Sequence, residues 1–186
     1  PHAKDRYWWA VAYGIKDEAE KKNVKIEILL ADGYGFLEQQ KKQILQCKNE
    51  KFDAIILNFA NPDMVAHTGK VKPTIAAVEA VDACIGTIVE SVVPSGGVVV
   101  ITADHGNAEE VLNLQTGEMD KEHATNSVPL IICGTSFEDQ DHAELEALEW
   151  DLSLLPPVGM LADVAPTVLK IMGIRKPTAM TGQSLI

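Results

Sequence analysis

The chain has 186 residues, of which 46% are hydrophobic and 23% are charged, and its formal net charge is −11. The length suits one α/β domain, and the composition lies in the ordinary globular range, which argues against a disordered chain or a small fold held together by disulfides. The 27 acidic residues outnumber the 16 basic ones, which argues against a nucleic-acid partner and favours cations as ligands.

The cysteines and the hydropathy pattern indicate a cytoplasmic protein. Cys47, Cys84 and Cys133 stand in apolar or helical contexts without the spacing of a metal-binding pair, so we expect reduced thiols. No stretch approaches the roughly 18 apolar residues that a membrane span needs, and the first residues lack the design of a signal peptide. We therefore expect a soluble protein with no membrane partner.

The first third of the chain alternates helices and strands. The spacing of apolar residues predicts a helix over 6–22 and a second helix over 35–51. Residues 24–31 are predicted as a strand after the first helix, and the nearly continuous apolar run at 52–60 predicts a buried strand after the second. This βαβ order predicts a parallel sheet with helices packed against it.

The rest of the chain continues the same pattern. We predict a helix over 73–93 with Pro73 in its first turn, and a later helix closed by Gly173. The other predicted elements are a core strand beginning at 98, a short strand at 128–134, and an acidic helix and loop at 137–159. The elements together predict one α/β domain over residues 1–186, a three-layer αβα sandwich with a mainly parallel sheet.

Two possible metal ligands follow the predicted strand at 52–60. In "NFANPDMVAHTG", residues 58–69, Asp63 and His67 are four positions apart, so a turn of helix would place both on one face. Ligands gather at the carboxyl ends of parallel strands, so the position of these residues directly after a predicted strand favours a ligand-binding role. The alternative is a capping carboxylate beside a solvated imidazole.

A second motif, "TADHGN", follows the strand that begins at 98. Asp104 and His105 are adjacent, so in an extended backbone their side chains would diverge and serve two neighbouring ions better than one. This predicts a site for two ions. A capping Asp beside a surface His is again the alternative.

"KEHATNSVPL" adds His123, five residues before the strand at 128–134. The loop that carries His123 reaches the other motifs only if that strand runs antiparallel to the core strand, and this is a testable prediction. Imidazoles combined with carboxylates suit Mn²⁺ or Zn²⁺ better than Ca²⁺. The remaining histidines, His2 and His142, lie in no such context, and we expect them on the surface.

Residues 52–186 contain a series of motifs that resemble the carboxyl-terminal part of cofactor-independent phosphoglycerate mutase, a family of the alkaline phosphatase superfamily. The motifs are "NFANPDMVAHTG", "AVEAVDACIG", "ITADHGNAE", "HATNSVPLI" and "LADVAPTVLKIMGI". The resemblance implies a cytoplasmic glycolytic isomerase that interconverts 3-phosphoglycerate and 2-phosphoglycerate through a phosphoserine at two Mn²⁺ ions. We expect it to act as a monomer.

Carried over by motif, the resemblance implies that Asp63, His67 and His123 hold one ion while Asp104 and His105 contribute to the other. It also implies a nucleophilic serine, a further metal-binding aspartate, a catalytic lysine and substrate-binding arginines, none of which has a counterpart among these residues. The second metal site is therefore expected to be incomplete, and no nucleophile is assigned. We expect this chain alone to lack mutase activity.

Residues 1–57 instead resemble the first lobe of a type I periplasmic sugar-binding protein, which raises the hypothesis of a hybrid joined near 52–58. Trp8, Trp9 and Tyr13 would then be relics of ligand stacking, or aromatic side chains packed against the sheet, the interpretation we favour. The alternatives to an enzyme are thus a non-catalytic metal-binding module and a sugar-binding module.

Overall fold

The computed structural model describes residues 6–30, 37–50, 52–113, 116–138 and 155–186. The chain divides into two compact units, residues 1–64 and residues 65–186. Whether these units form a single domain remains a prediction. The predicted acidic segment at 137–159 lies largely outside the described residues.

The first unit contains two of the predicted helices. Helix α1 covers Arg6–Lys22, and helix α2 covers Leu37–Glu50. On the charged face of α1, Lys21 lies 2.6 Å from Asp17 one turn earlier, an arrangement that supports an exposed helix weakly. The left-handed backbone of Asn23, with φ of 55°, ends α1. Both predicted helices are confirmed within the described residues.

The two strands predicted in the first unit are wrong for the described residues. Residues 24–30 and 54–60 have no regular secondary structure. Most of their apolar side chains are exposed, with Ile26 at 41% and Ile56 at 97%, while Leu29, Leu30 and Phe59 are half-buried. A strand exists only where a neighbouring strand accepts its backbone hydrogen bonds, and neither segment has such a neighbour among the described residues. The apolar runs identify segments suited to burial, but they do not identify a partner.

The predicted packing of the N-terminal aromatic residues is also wrong for two side chains. Trp9 is 58% exposed and Tyr13 is 75% exposed. Among the described residues of this unit, the buried hydrophobic side chains are Ala19 and Cys47. Burial raises the pKa of the Cys47 thiol, with further contributions from Glu50 and Glu27.

The six-residue helix α3, Asn61–Ala66, leads from the first unit into the second. Helix α4 follows at Val71–Val92 and contains Pro73 in its first turn, as predicted. It ends in a short turn in which Gly96 has a φ of 83°, a left-handed conformation that glycine adopts without strain. Cys84 and Thr74 form the buried side of α4, and the helix contacts the strand that follows.

The described sheet has two strands, β1 at Val99–Thr102 and β2 at Leu130–Cys133. They are antiparallel, with Val99 opposite Cys133 and Thr102 opposite Leu130. This confirms the predicted direction of the strand before which His123 lies. The helices and the sheet make the described chain an α/β protein, while the parallel pairs of the predicted sandwich are not among the described residues.

Helix α5, Val164–Ile171, completes the second unit, and Gly173 follows it with a φ of 68°, as the predicted helix end requires. The side chain of Thr167 in this helix is fully buried.

All three cysteines are free thiols, as predicted, with Cys47 and Cys84 buried and Cys133 half-buried. No helix in the described parts of the chain is long and apolar enough to cross a membrane.

Candidate metal centre

The antiparallel pairing of β1 and β2 brings two histidine-bearing loops side by side in the second unit. Because Thr102 at the end of β1 is opposite Leu130 at the start of β2, the loop after β1 meets the loop before β2. Further along, the Ala124 N–H donates to the Gly106 carbonyl at 2.7 Å, forming an isolated bridge. His105 and His123 each stand one residue before this bridge, so the backbone fixes their separation.

His67 and His123 face each other through their ring nitrogens. The two Nε2 atoms are 3.2 Å apart. Two imidazole nitrogens that bind one ion at about 2.1 Å lie about 3.0 Å apart at a right angle and about 3.4 Å apart at the tetrahedral angle. The observed distance falls between these values. The pair therefore fits the donor geometry of a transition-metal ion.

A backbone carbonyl fixes the tautomer of His67. Its Nδ1 lies 2.5 Å from the carbonyl oxygen of Lys121. A carbonyl only accepts, so in the neutral ring the proton is on Nδ1 and the lone pair is on Nε2, the atom that faces His123. Metal-binding histidines commonly donate their second ring N–H to such an outer acceptor.

Gly69 permits this close approach of the loop to the turn after α3. Its φ of 68° is left-handed, and a Cβ at this position would lie 3.0 Å from Met119 and 3.2 Å from Lys121. A larger residue would strain the turn and push the loop away. The carbonyl of Lys121 reaches His67 because glycine leaves this space open.

His105 joins the same group by stacking on His123. The ring centroids are 3.8 Å apart and the planes differ by 18°. Ring nitrogens of the two residues lie within 4.8 Å of each other. The Nδ1 of His105 lies 3.3 Å from the carbonyl of Gly106, which again leaves Nε2 as the lone-pair atom of the neutral ring. The second unit thus brings all three predicted histidines together.

Asp104 does not diverge from His105 as predicted. The backbone bends at these residues after β1 ends, and Oδ1 of Asp104 lies 3.7 Å from Nε2 of His105. The Asp104 side chain is 84% exposed. The prediction assumed an extended backbone, in which neighbouring side chains point to opposite faces. A bend removes that alternation, and the carboxylate approaches the imidazole.

Asp63 lies in the first turn of α3, where the helix dipole favours a carboxylate. The predicted helical turn is confirmed, and His67 follows directly after α3 ends at Ala66. Residues four apart along a helix lie on the same side. That Asp63 and His67 reach the same ion stays a prediction.

Sequence reasoning missed three groups near the histidines: the Lys121 carbonyl, Glu109 and Asn126. The Glu109 carboxylate accepts from the Asn107 N–H at 2.8 Å and from the Asn126 amide at 3.0 Å. Partial burial raises the pKa of Glu109, but hydrogen bonds from its own N–H, Asn126 and Asn107, together with His105, hold that pKa below its usual value. The polar residues of "GNAEE" and "HATN" were a sequence signal for Glu109 and Asn126. The backbone carbonyl of Lys121 has no sequence signal, because every residue carries one.

Three imidazoles, two of them beside backbone carbonyls, together with a carboxylate at the ends of antiparallel strands, are typical of a metal-binding site. The comparison with protein families agrees with this class. Residues 24–176 match the model of the metalloenzyme superfamily. The chain belongs to the metalloenzyme superfamily.

Several curated relatives of the chain are phosphoglycerate mutases. The chain is 47% identical over 145 residues to a 2,3-bisphosphoglycerate-independent phosphoglycerate mutase of Acetivibrio thermocellus, covering 77% of this chain and 25% of that protein. For the protein of the same name from Clostridioides difficile, the identity is 46% over 137 residues, or 74% and 24% of the two chains. The "phosphoglycerate mutase 2" of Methanosarcina barkeri is 49% identical over 143 residues, or 77% and 24%.

The chain therefore spans about a quarter of the length of these curated relatives. These matches confirm the resemblance to phosphoglycerate mutases of the 2,3-bisphosphoglycerate-independent kind. The metalloenzyme match also includes residues 24–57, where the sequence resembles a sugar-binding lobe, and it favours the metalloenzyme assignment for that segment. For residues 1–23, the hybrid hypothesis remains a prediction.

Proposed function

We propose that this chain supplies the metal-binding portion of a phosphoglycerate mutase that interconverts 3-phosphoglycerate and 2-phosphoglycerate. In this proposal Asp63, His67 and His123 hold one ion, and Asp104 and His105 contribute to a second. The ion is Mn²⁺, with Zn²⁺ as the alternative. The single observation that carries the proposal is the 3.2 Å approach of the His67 and His123 Nε2 atoms.

The chain's own residues would prepare the site for a cation. The Lys121 carbonyl keeps the proton of His67 on Nδ1 and directs the lone pair of Nε2 toward His123. Stacking on His123 would hold His105 with its neighbour Asp104 for the second ion. Ions of this kind supply Lewis acidity toward a phosphoryl oxygen.

Phosphoryl transfer also needs the serine nucleophile and the substrate-binding arginines that the resemblance implies. Because the chain spans a quarter of its relatives, the mutase activity belongs to the proposal. The proposal also includes the three-layer sandwich with a mainly parallel sheet, the single domain, the monomeric state, the cytoplasmic location and the phosphoglycerate substrate.

Titration calorimetry of the chelator-treated chain with Mn²⁺ tests the proposal. We expect uptake at pH 7.5 and at least tenfold weaker binding at pH 5, because protonated imidazole is not a ligand. No uptake at pH 7.5, or equal affinity at both pH values, would overturn the histidine assignment. A parallel titration with D-ribose tests the sugar-binding alternative, and ribose uptake without Mn²⁺ uptake would establish that alternative instead.

A further inference from the structure

Glu109 links the two histidine-bearing loops through its two carboxylate oxygens. Oε2 accepts from the backbone N–H of Asn107, which lies in the loop that follows β1. Oε1 accepts from the side-chain amide of Asn126, which lies in the loop that precedes β2, at 3.0 Å. One carboxylate therefore joins a residue two positions after His105 to a residue three positions after His123.

The Glu109 carboxylate also packs directly against the loop that carries His105. A Cβ built on Gly106 would lie 2.3 Å from Oε1 of Glu109 and 3.3 Å from the Cβ of Ala124. Gly106 has no left-handed φ, so a side chain at this position would be opposed by the Glu109 carboxylate rather than by backbone conformation. The absence of a side chain lets Glu109 cover the Gly106–Ala124 bridge.

Neighbouring Glu110 provides an internal comparison. Its Oε2 also accepts from the Asn126 amide, at 3.0 Å, but its hydrogen bond to the 104–107 loop is made by the backbone N–H, which donates to the Asn107 carbonyl at 3.1 Å and would be kept in an alanine variant. The two adjacent carboxylates thus share one donor, while only the Glu109 carboxylate bonds to both loops. If negative charge alone affects the histidine rings, removing either carboxylate should have the same effect. If the alignment of the two loops matters, removing the Glu109 carboxylate should have the larger effect.

We propose that Glu109 and Asn126 are positioning residues that align the stacked rings of His105 and His123 for metal binding. We call the pair of hydrogen bonds made by Glu109 the loop clamp. Outer hydrogen-bond partners of metal ligands commonly change metal affinity by about 10- to 100-fold when they are removed. The metal part of this inference rests on the proposed function, while the alignment of the rings can be measured without any ion.

The first experiment uses the metal-free chain. Nitrogen-15 NMR of the imidazoles records the ring environments of His105 and His123 in Glu109→Ala, Asn126→Ala and the control Glu110→Ala. We expect both rings to shift in the first two variants and to keep their wild-type signals in the control. Unchanged rings in Glu109→Ala and Asn126→Ala, or equal shifts in Glu110→Ala, would overturn the loop clamp.

The second experiment measures Mn²⁺ affinity in the same variants. We expect about 10- to 100-fold weaker binding in Glu109→Ala and Asn126→Ala, and a change below about twofold in Glu110→Ala. If the wild-type chain takes up no Mn²⁺, the proposed function fails, while the ring signals still decide the loop clamp. Wild-type uptake with unchanged affinity in Glu109→Ala would retain the metal site and overturn the positioning role.

Gly106→Ala tests the same inference without removing a hydrogen-bonding group. The new methyl group would displace the end of the flexible Glu109 side chain, so we expect a folded protein that has lost the loop clamp. Its histidine signals should shift as in Glu109→Ala. A folded Gly106→Ala protein with wild-type ring signals and wild-type Mn²⁺ affinity would contradict the inference.

Discussion

The second unit contains two polar clusters that differ in how their polar groups are partnered. Around α5, the buried Asp163 accepts backbone hydrogen bonds on both oxygens, from Met160 and from Gln183, each at 2.8 Å. The histidine cluster instead brings two ring nitrogens to 3.2 Å of each other and stacks a third ring on the second. The first cluster pairs acceptors with donors from the protein, while the second brings ring nitrogens of three histidines together.

This difference separates a structural role from a binding role. Polar groups near Asp163 are arranged to hold the last residues of the chain against α5, since Thr167 also accepts from the Leu185 N–H at 3.0 Å. Histidine side chains gathered at loop ends are better suited to binding a cation than to holding a fold together. Changes in the first cluster should therefore alter stability, and changes in the second should alter metal affinity.

The largest effect is expected for His123→Ala. Its ring contacts both other histidines, so its loss should weaken Mn²⁺ binding by at least about 100-fold, beyond the usual effect of an outer partner. Calorimetry gives the affinity, and His142→Ala is the matched control. Mn²⁺ should also raise the melting temperature of the control and leave that of the variant unchanged. Equal affinities in the two variants would remove His123 from the site.

Gly182→Ala should have the largest effect on stability. A Cβ at this position would lie 2.0 Å from the carbonyl oxygen of Ala162, a backbone atom that cannot move aside cheaply. We expect a loss of about 3 kcal/mol or more in the free energy of unfolding, measured with urea. Gly86→Ala is the control, because it has open space within α4 and should stabilise by about 0.5–1 kcal/mol. A neutral Gly182→Ala would contradict the described position of the tail.

Thr167→Val tests the hydrogen bonds of the buried hydroxyl. Thr167 donates to the Asp163 carbonyl at 2.7 Å and accepts from Leu185, and valine keeps its shape while removing both bonds. We expect a loss of about 1–3 kcal/mol, because the Leu185 N–H is left unsatisfied. The control Thr87→Val, on the exposed side of α4, should change stability by less than about 0.5 kcal/mol. Similar losses in both variants would show that the tail network contributes nothing specific.

The smallest effect concerns acid stability. Backbone N–H groups of Gln183 and Met160 lower the pKa of Asp163 below its usual value, with a further contribution from Lys176. The ionised carboxylate therefore stabilises the fold fully above the unfolded pKa of about 3.9, and this contribution disappears as pH falls toward the lower folded value. Urea midpoints of wild type and Asp163→Asn should converge below about pH 4. A difference that stays constant from pH 6 to pH 3 would refute this account of Asp163.

Helix positions and the direction of β2 could be predicted because they depend on local patterns. Apolar spacing located α1 and α4, and the need for His123 to reach the other motifs predicted the antiparallel pair. The segments at 24–30 and 54–60 could not be assigned correctly in the same way. Strand formation depends on a hydrogen-bonding neighbour, which is a property of distant residues.

The candidate site shows the same limit. Motifs identified the three histidines that the second unit brings together, but they did not reveal that Asp104 approaches His105. The Lys121 carbonyl and the Glu109 hydrogen bonds depend on loop geometry, which residue type does not encode. Sequence therefore predicted the donors of the site better than the groups that orient them.

Pulsed electron paramagnetic resonance of Mn²⁺ bound to the chain tests the central claim most directly, because it detects nitrogen nuclei coordinated to the ion. We predict imidazole nitrogen couplings in the wild-type chain that are reduced in His67→Ala and in His123→Ala and unchanged in His142→Ala. A Mn²⁺ signal without nitrogen couplings, or with couplings that both substitutions leave unchanged, would contradict the claim that these histidines form the metal centre.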